Sequence, residues 1–343
     1  MKKVLCTIIV LIFSASLGYS QVTTLWEKSA TAGTKPAWET GSTTRGIGYG
    51  LVGANQRLFV VNRNAAFGGK QIFIFNATTG DSVGMLDTTG ISGGTLPVND
   101  VEVSSDGKIF VCNLAAGGFF KVYKYDSEVA PPVAVINVDA TGRRLGDKIT
   151  ITGTTADNSI IIWAVSADAD GEVLKFTTTD NGVSFTSQVV NIGTLASFGS
   201  AAVGPLSSGD FYFNAQGLNA KKFSSTGSDL GTVPNTVLTT GGSAIRYLSA
   251  ILGDEYIVAN ELSASTNNAK FIKVPGGVLA SAAVYGTTPV FGTTSAGGLG
   301  DVSVQKVSAY VYNIFVLATN NGFGAYRITI KPSLAGDYYI GAP

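Results

Sequence analysis

The feature that most constrains this chain is a repeat. Leu58-Phe59-Val60-Val61-Asn62, Ile109-Phe110-Val111-Cys112-Asn113, Ile160-Ile161-Ile162-Trp163-Ala164 and Phe211-Tyr212-Phe213-Asn214-Ala215 are apolar blocks that each close on a small or amide residue. They close 51 residues apart. Tyr256-Ile257-Val258-Ala259-Asn260 and Ile314-Phe315-Val316-Leu317-Ala318 continue the series at looser spacing. A period near fifty residues has the length of a four-stranded propeller blade and is too long for a β-helix rung. One unit can be read in full between Asp100 and Val138. It runs Asp100–Val103, a turn at Asp106-Gly107, Lys108–Asn113, Phe120–Asp126 and Val133–Val138. These segments are rich in β-branched and aromatic residues and are separated by turn residues.

A second register confirms the period. The third strand of each unit ends on an apolar residue before a turn: Phe75-Asn76, Tyr125-Asp126, Phe176-Thr177, Phe223-Ser224, Val274-Pro275 and Ile330-Lys331. Turns such as Thr79-Gly80-Asp81 and Asp180-Asn181-Gly182 supply the backbone conformations that tight hairpins need. The first strands are expected to start at Arg45, Asp100, Asp147, about Ser200, Arg246 and Asp301, which makes six units. The sixth has only three strands, and Thr23–Lys28 is a strand-like segment with no unit of its own. The expected fold is therefore all-β: a six-bladed β-propeller of four-stranded antiparallel blades, the last closed by the N-terminal strand. Closure of this kind removes the open sheet edges that a β-sandwich, the competing fold, would keep. The 43 glycines and a charged fraction of only 13% suit a turn-dense β fold.

Residues 1–20 read as a signal peptide. Lys2 and Lys3 precede an apolar run from Val4 to Leu17, and Gly18 and Ser20 are small residues before a cut at Gln21. Residues 21–331 form the expected propeller, and 332–343 a tail, or the start of a further domain. Basic and acidic residues balance at 23 each, and removal of Lys2 and Lys3 leaves a net charge of −2. That charge gives no footprint for nucleic acid, and no later segment is apolar enough to span a membrane. Cys112, the one cysteine outside the leader, lies within an apolar strand and reads as a buried thiol.

Several stretches bear a family likeness: Leu25–Ala30, Arg45-Gly46-Ile47-Gly48-Tyr49-Gly50, Gly90–Thr95 and Asn99-Asp100-Val101. They resemble a group of secreted bacterial propellers from Bacteroidetes and Ignavibacteria-like bacteria that is catalogued as a domain of unknown function. The likeness is strongest over residues 22–150. It implies an extracellular or periplasmic location and no assigned activity. It also implies that such rings sit in longer surface proteins, so that the tail Gly336–Gly341 would open a following β-rich domain.

The chain has no histidine, which excludes Ser-His-Asp and Cys-His nucleophile pairs and histidine-held metals. Gly46-Ile47-Gly48-Tyr49-Gly50 lies on an inner strand and reads as close packing around a narrow channel. The candidate ligand-binding set is the group expected at the inner-strand starts: Arg45, Asp100, Asp147, Arg246 and Asp301. Leu145-Gly146-Asp147 and Leu299-Gly300-Asp301 share local sequence, which argues for equivalent placement. Three carboxylates converging on one axis could hold Ca²⁺ through Asp100, Asp147 and Asp301; the same set could bind a polar ligand or form a self-satisfied ion network. Ser166–Gly171 has the look of a calcium loop but lacks the closing glutamate, so it reads as a hairpin turn. Phe211, Tyr212, Tyr247, Tyr256, Tyr285 and Tyr310 are either inter-blade core or a stacking platform for sugars. The loop Gly286–Gly298 is a further place where binding could reside.

Three functional expectations follow. The first is a secreted or cell-surface binding or scaffold module for glycan or protein, acting as a monomer or within a longer surface protein. The second is a Ca²⁺-dependent hydrolase or lyase at the channel mouth, which requires carboxylates free of arginine partners. The third is a structural spacer.

Overall fold

The computed structural model describes residues 22–331 apart from 169, 197, 264, 265 and 296. The expected signal peptide and the tail from 332 to 343 lie outside the described residues. Six small antiparallel sheets form a ring. Their innermost strands are Thr44–Val52, Leu96–Val103, Ile149–Thr152, Ala201–Pro205, Ile245–Ile251 and Gly300–Lys306, which number blades 1 to 6. The only helical segments among the described residues are three short 3₁₀ turns, so no helix there is long and apolar enough to cross a membrane.

The repeat becomes packing through the two-residue period of a strand. In the second strand of blade 1, Phe59 and Val61 pack against blade 2, while Leu58 and Val60 pack against blade 6. Every such strand is apolar on both faces because every blade is covered on both faces. The buried side chains accordingly fall into six clusters, one for each blade interface. Full burial of a single Val, Leu, Ile or Phe contributes about 1.5–3 kcal/mol. The amides that end several repeats are buried too. Asn113 Nδ2 donates to the Phe119 carbonyl at 3.0 Å while its Oδ1 accepts from Lys121 N at 2.9 Å. Asn260 Oδ1 accepts from the backbone N–H groups of Ser243 and Ala244. An amide at this position thus ties the end of one strand to the next.

Blade 6 is closed as the sequence suggests. Thr23–Ser29 pairs antiparallel with Gly322–Thr329, in register from Thr23↔Arg327 to Ser29↔Gly322, with a bulge between Thr24 and Trp26. Trp26 Nε1 donates to the Ala77 carbonyl at 2.9 Å, and its ring lies edge-on to Phe323 at 6.1 Å. Trp38, from the connection into blade 1, stacks on Phe73 at 4.3 Å. The seam therefore joins blades 6 and 1 through the only cluster that contains two tryptophans.

The glycine-dense segment Gly46–Gly50 sits on the inner strand of blade 1, where the backbones of blades 1 and 2 nearly touch. A side chain at Gly48 would meet the Val101 carbonyl oxygen at 2.5 Å. The loop Gly286–Gly298 is pinned at two of its described residues: Phe291 is fully buried, and Thr294 N donates to Asn321 Oδ1 at 3.0 Å.

Candidate functional site

The inner strands place polar side chains at three levels along the axis. The middle level is a buried plug. Asp100 and Asp301 are fully buried, and Lys148, Glu102 and Arg246 almost so. Lys148 Nζ lies 3.1 Å from Asp301 Oδ2 and 3.7 Å from Asp100 Oδ1, and it donates to the Arg45 carbonyl. Arg246 pairs with Glu102 and stands 3.7 Å from Asp301 Oδ1. Backbone donors complete the set: Ile149 N to Asp100 Oδ2 at 2.7 Å, Ile47 N to Asp301 Oδ2 at 3.1 Å and Val302 N to Asp301 Oδ1 at 2.8 Å. These bonds stitch blades 1, 2, 3, 5 and 6 together across the axis.

Two cations in the plug face three carboxyls. Burial pushes the Asp100 carboxyl well above the usual carboxylate range, with Lys148 pulling it back. Burial likewise lifts Glu102 to about 7, opposed by Arg246. With two cations against three carboxyls, one proton on the set balances its charge, which burial favours. The nearby Cys112 thiol is also pushed up, by burial first and by the Asp100 charge second.

The five residues expected to form one ring do not share one level. Asp100, Asp301 and Arg246 meet in the plug, but Asp147 does not. Its carboxylate is taken by Arg144, with Arg144 Nε to Asp147 Oδ2 at 2.6 Å and Nη2 to Oδ1 at 2.7 Å. The residue that reaches Asp301 from blade 3 is Lys148. The space between Asp100 and Asp301 therefore holds an ammonium, and no group of three or more His, Cys, Asp or Glu among the described residues could hold a metal ion. Arg45 stays at the mouth, where Nε donates to the Ser42 carbonyl at 2.9 Å. Ser166–Gly171 lies between two strands of blade 3, with Asp168 accepting from Ser166 Oγ and from Asp170 N.

Beyond the plug, where the inner strands end, the axis opens into a cavity of about 240 Å³. All six inner strands wall it. Tyr49, Glu102, Thr150, Gly204, Tyr247 and Ser303 each come from a different blade. Arg246 and Glu102, which link cavity and plug, form a fixed charge pair there. Tyr49 is stacked on Phe315 at 5.0 Å, and Tyr247 lies parallel to Tyr212 at 6.5 Å, so both rings are held in place by a neighbour. Of the other aromatics singled out in the sequence, Phe211, Tyr212 and Tyr256 are core, Tyr285 is half-buried beside Tyr256, and Tyr310 is exposed.

Sequence reasoning missed Glu102, Lys148, Arg63 and Arg144. Glu102 was findable: it stands two residues after Asp100, and side chains two apart on a strand share a face.

No protein-family model matches the chain, and no curated protein matches it. Solved structures do resemble it. A DUF4623 family protein from Bacteroides eggerthii superposes with a TM-score of 0.73 at 16% identity, over 91% of this chain and 76% of that one. The SapL1 lectin, solved with alpha methyl fucoside, superposes with a TM-score of 0.52 at 12% identity, over 87% of this chain and 99% of that one. At these identities the likeness is one of fold: a six-bladed propeller. It agrees with the resemblance to propellers of unassigned activity that residues 22–150 carry.

Proposed function

We propose that this chain is a binding module, exported to the cell exterior, that takes a sugar unit of a glycan into the axial cavity. The observation that carries the reading is the cavity itself: a concave, mainly polar recess walled by six rigid strands, with two braced tyrosine rings and a fixed Arg246–Glu102 pair. Ligand sites are typically largely pre-formed recesses with a few convergent polar groups, and a space of about 240 Å³ suits one monosaccharide. The use of the same fold by a fucoside-bound lectin is in keeping with this. A hydrolase or lyase has less support, because each plug carboxylate has a cation beside it and none is free to act as acid or base. Asp100 and Asp301 serve this site indirectly, by fixing Lys148 and Arg246.

A glycan-array screen of the purified ring, followed by titration calorimetry on the hits, tests the reading. Tyr247→Ala is expected to weaken binding at least tenfold. Binding to none of a broad panel, or undiminished binding by the variant, would overturn it. Export is checked by intact mass after expression in a bacterial host, the expected mature N-terminus being Gln21.

A further inference from the structure

The other mouth of the ring, where the inner strands begin, carries a second group of charged side chains, separate from the cavity. Three segments deliver arginines there. Arg45 is the second residue of the inner strand of blade 1, Arg63 directly follows the second strand of that blade, and Arg144 sits on the two-residue strand Arg144–Leu145 that pairs with the end of Ile109–Ala116. Arg45 Nε and Arg63 Nη2 both donate to the Ser42 carbonyl, at 2.9 and 3.2 Å, which holds the two guanidiniums side by side. Arg63 Nη1 donates to Asn99 Oδ1 at 2.5 Å, and Asn99 Nδ2 donates in turn to the carbonyls of Gly146 and Asp147 at 2.6 and 3.1 Å. This chain of bonds fixes Arg63 next to the Arg144–Asp147 pair.

The cluster is short of negative charge. Asp147 is the one carboxylate that bears on Arg45 and Arg63, and Arg144 already takes both of its oxygens. No ion pair of the described residues includes Arg45 or Arg63. Both are half-buried. Burial, with the neighbouring guanidiniums adding to it, holds Arg45 down to about 10 and Arg63 to about 9. Guanidinium is a planar fork of donors whose geometry matches carboxylate, sulfate and phosphate oxygens. Two adjacent forks with spare donors, held by backbone and amide contacts instead of by carboxylates, leave charge and hydrogen bonds for one more anion.

We propose that Arg45, Arg63 and Arg144 form an oxyanion-binding site at this mouth, which takes the carboxylate, sulfate or phosphate group of an acidic ligand. The site stands apart from the axial cavity, and its test does not depend on the sugar reading.

The test is thermal denaturation of the full chain in sodium sulfate, sodium phosphate and sodium glucuronate, each against sodium chloride at equal ionic strength. At least one oxyanion is expected to raise Tm saturably in the millimolar range beyond chloride, and the ranking of the three identifies the group that the site prefers. Arg45→Gln and Arg63→Gln, each first shown to be folded by circular dichroism, are expected to weaken that response at least tenfold. Lys273→Gln, in a half-buried pair with Asp254 away from the mouth, is expected to leave it unchanged. If no oxyanion exceeds chloride in the parent protein, or if a folded Arg45→Gln or Arg63→Gln variant responds like the parent, the site does not exist.

Discussion

The plug and the arginine mouth lie on one axis and use the same residue types, yet they solve opposite problems. In the plug, every charge has a partner from another blade, and the side chains are buried. At the mouth, one carboxylate serves three guanidiniums, and two of these are held by carbonyl and amide oxygens instead. Self-satisfied charge is what a buried joint between blades needs; surplus charge that is held but not neutralised is what a binding site needs. The difference teaches that charged residues near a propeller axis cannot be assigned a role until their partners are counted.

The sharpest way to break the contrast is Lys148→Met. It leaves Asp100 and Asp301 facing one another without an ammonium, and loss of one partner from a buried set typically costs about 3–5 kcal/mol. Urea denaturation is expected to show a loss of that order; a loss below about 1 kcal/mol would mean that the plug does not hold the blades.

A middle-sized effect comes from pH. Glu102 keeps its proton to about 7 in the folded ring, and Glu39, buried beneath Gly322 in the N-terminal connection, keeps its own to about 8. Both values lie above those of the unfolded chain, so the folded state binds more protons in between. The contribution of these two groups is thus fully present below pH 4.5 and is lost as the pH rises through 7 to 8. Glu39→Gln is expected to remove the part of the slope nearest pH 8, and Glu102→Gln in that background the part nearest 7. Denaturation midpoints measured from pH 5 to 9 check this, and slopes unchanged in both variants would contradict it. Over the same range the mouth keeps its charge, because arginine stays protonated far above neutral pH.

The smallest expected effect is that of Arg45→Gln on stability. The half-buried guanidinium gives up one carbonyl contact and the attraction of Asp147 but escapes burial and the repulsion of Arg144, so the change should stay within about 1 kcal/mol in chloride. A much larger loss in urea denaturation would make the mouth a joint as well, and the contrast would fail.

The ring, its six blades and its closing strand were legible because the 51-residue spacing repeats a whole supersecondary unit and Thr23–Lys28 was the one strand left over. The axis was legible only in part. Asp100 and Asp301 do lie on inner strands, but in the buried plug instead of ringing the mouth, and Asp100 is the fifth residue of its strand instead of the first. The placement of Asp147 failed through register: the blade 3 residue that pairs as Asp100 and Asp301 do is Thr150, three positions further on. Leu145-Gly146-Asp147 looks like Leu299-Gly300-Asp301, but Arg144–Leu145 is claimed by the end of a blade 2 strand and the inner strand of blade 3 starts only at Ile149. Asp147 and Lys148 lie in the connection between the two, where Asp147 is held by Arg144 at the mouth and Lys148 reaches Asp301 in the plug. Arg63 gave no signal, because it follows a second strand and reaches the mouth only through the folding of the loop around Ser42.

The seam in blade 6 has a mechanical corollary. Thr23 pairs with Arg327, so the chain enters and leaves this sheet at the same end of two neighbouring strands. Tension applied through the flanks of the ring would load the cross-strand bonds one after another from that end, as a zipper is loaded, instead of all at once. Were the ring tethered on both sides, the clasp would be the first part to give and the other five sheets would be spared.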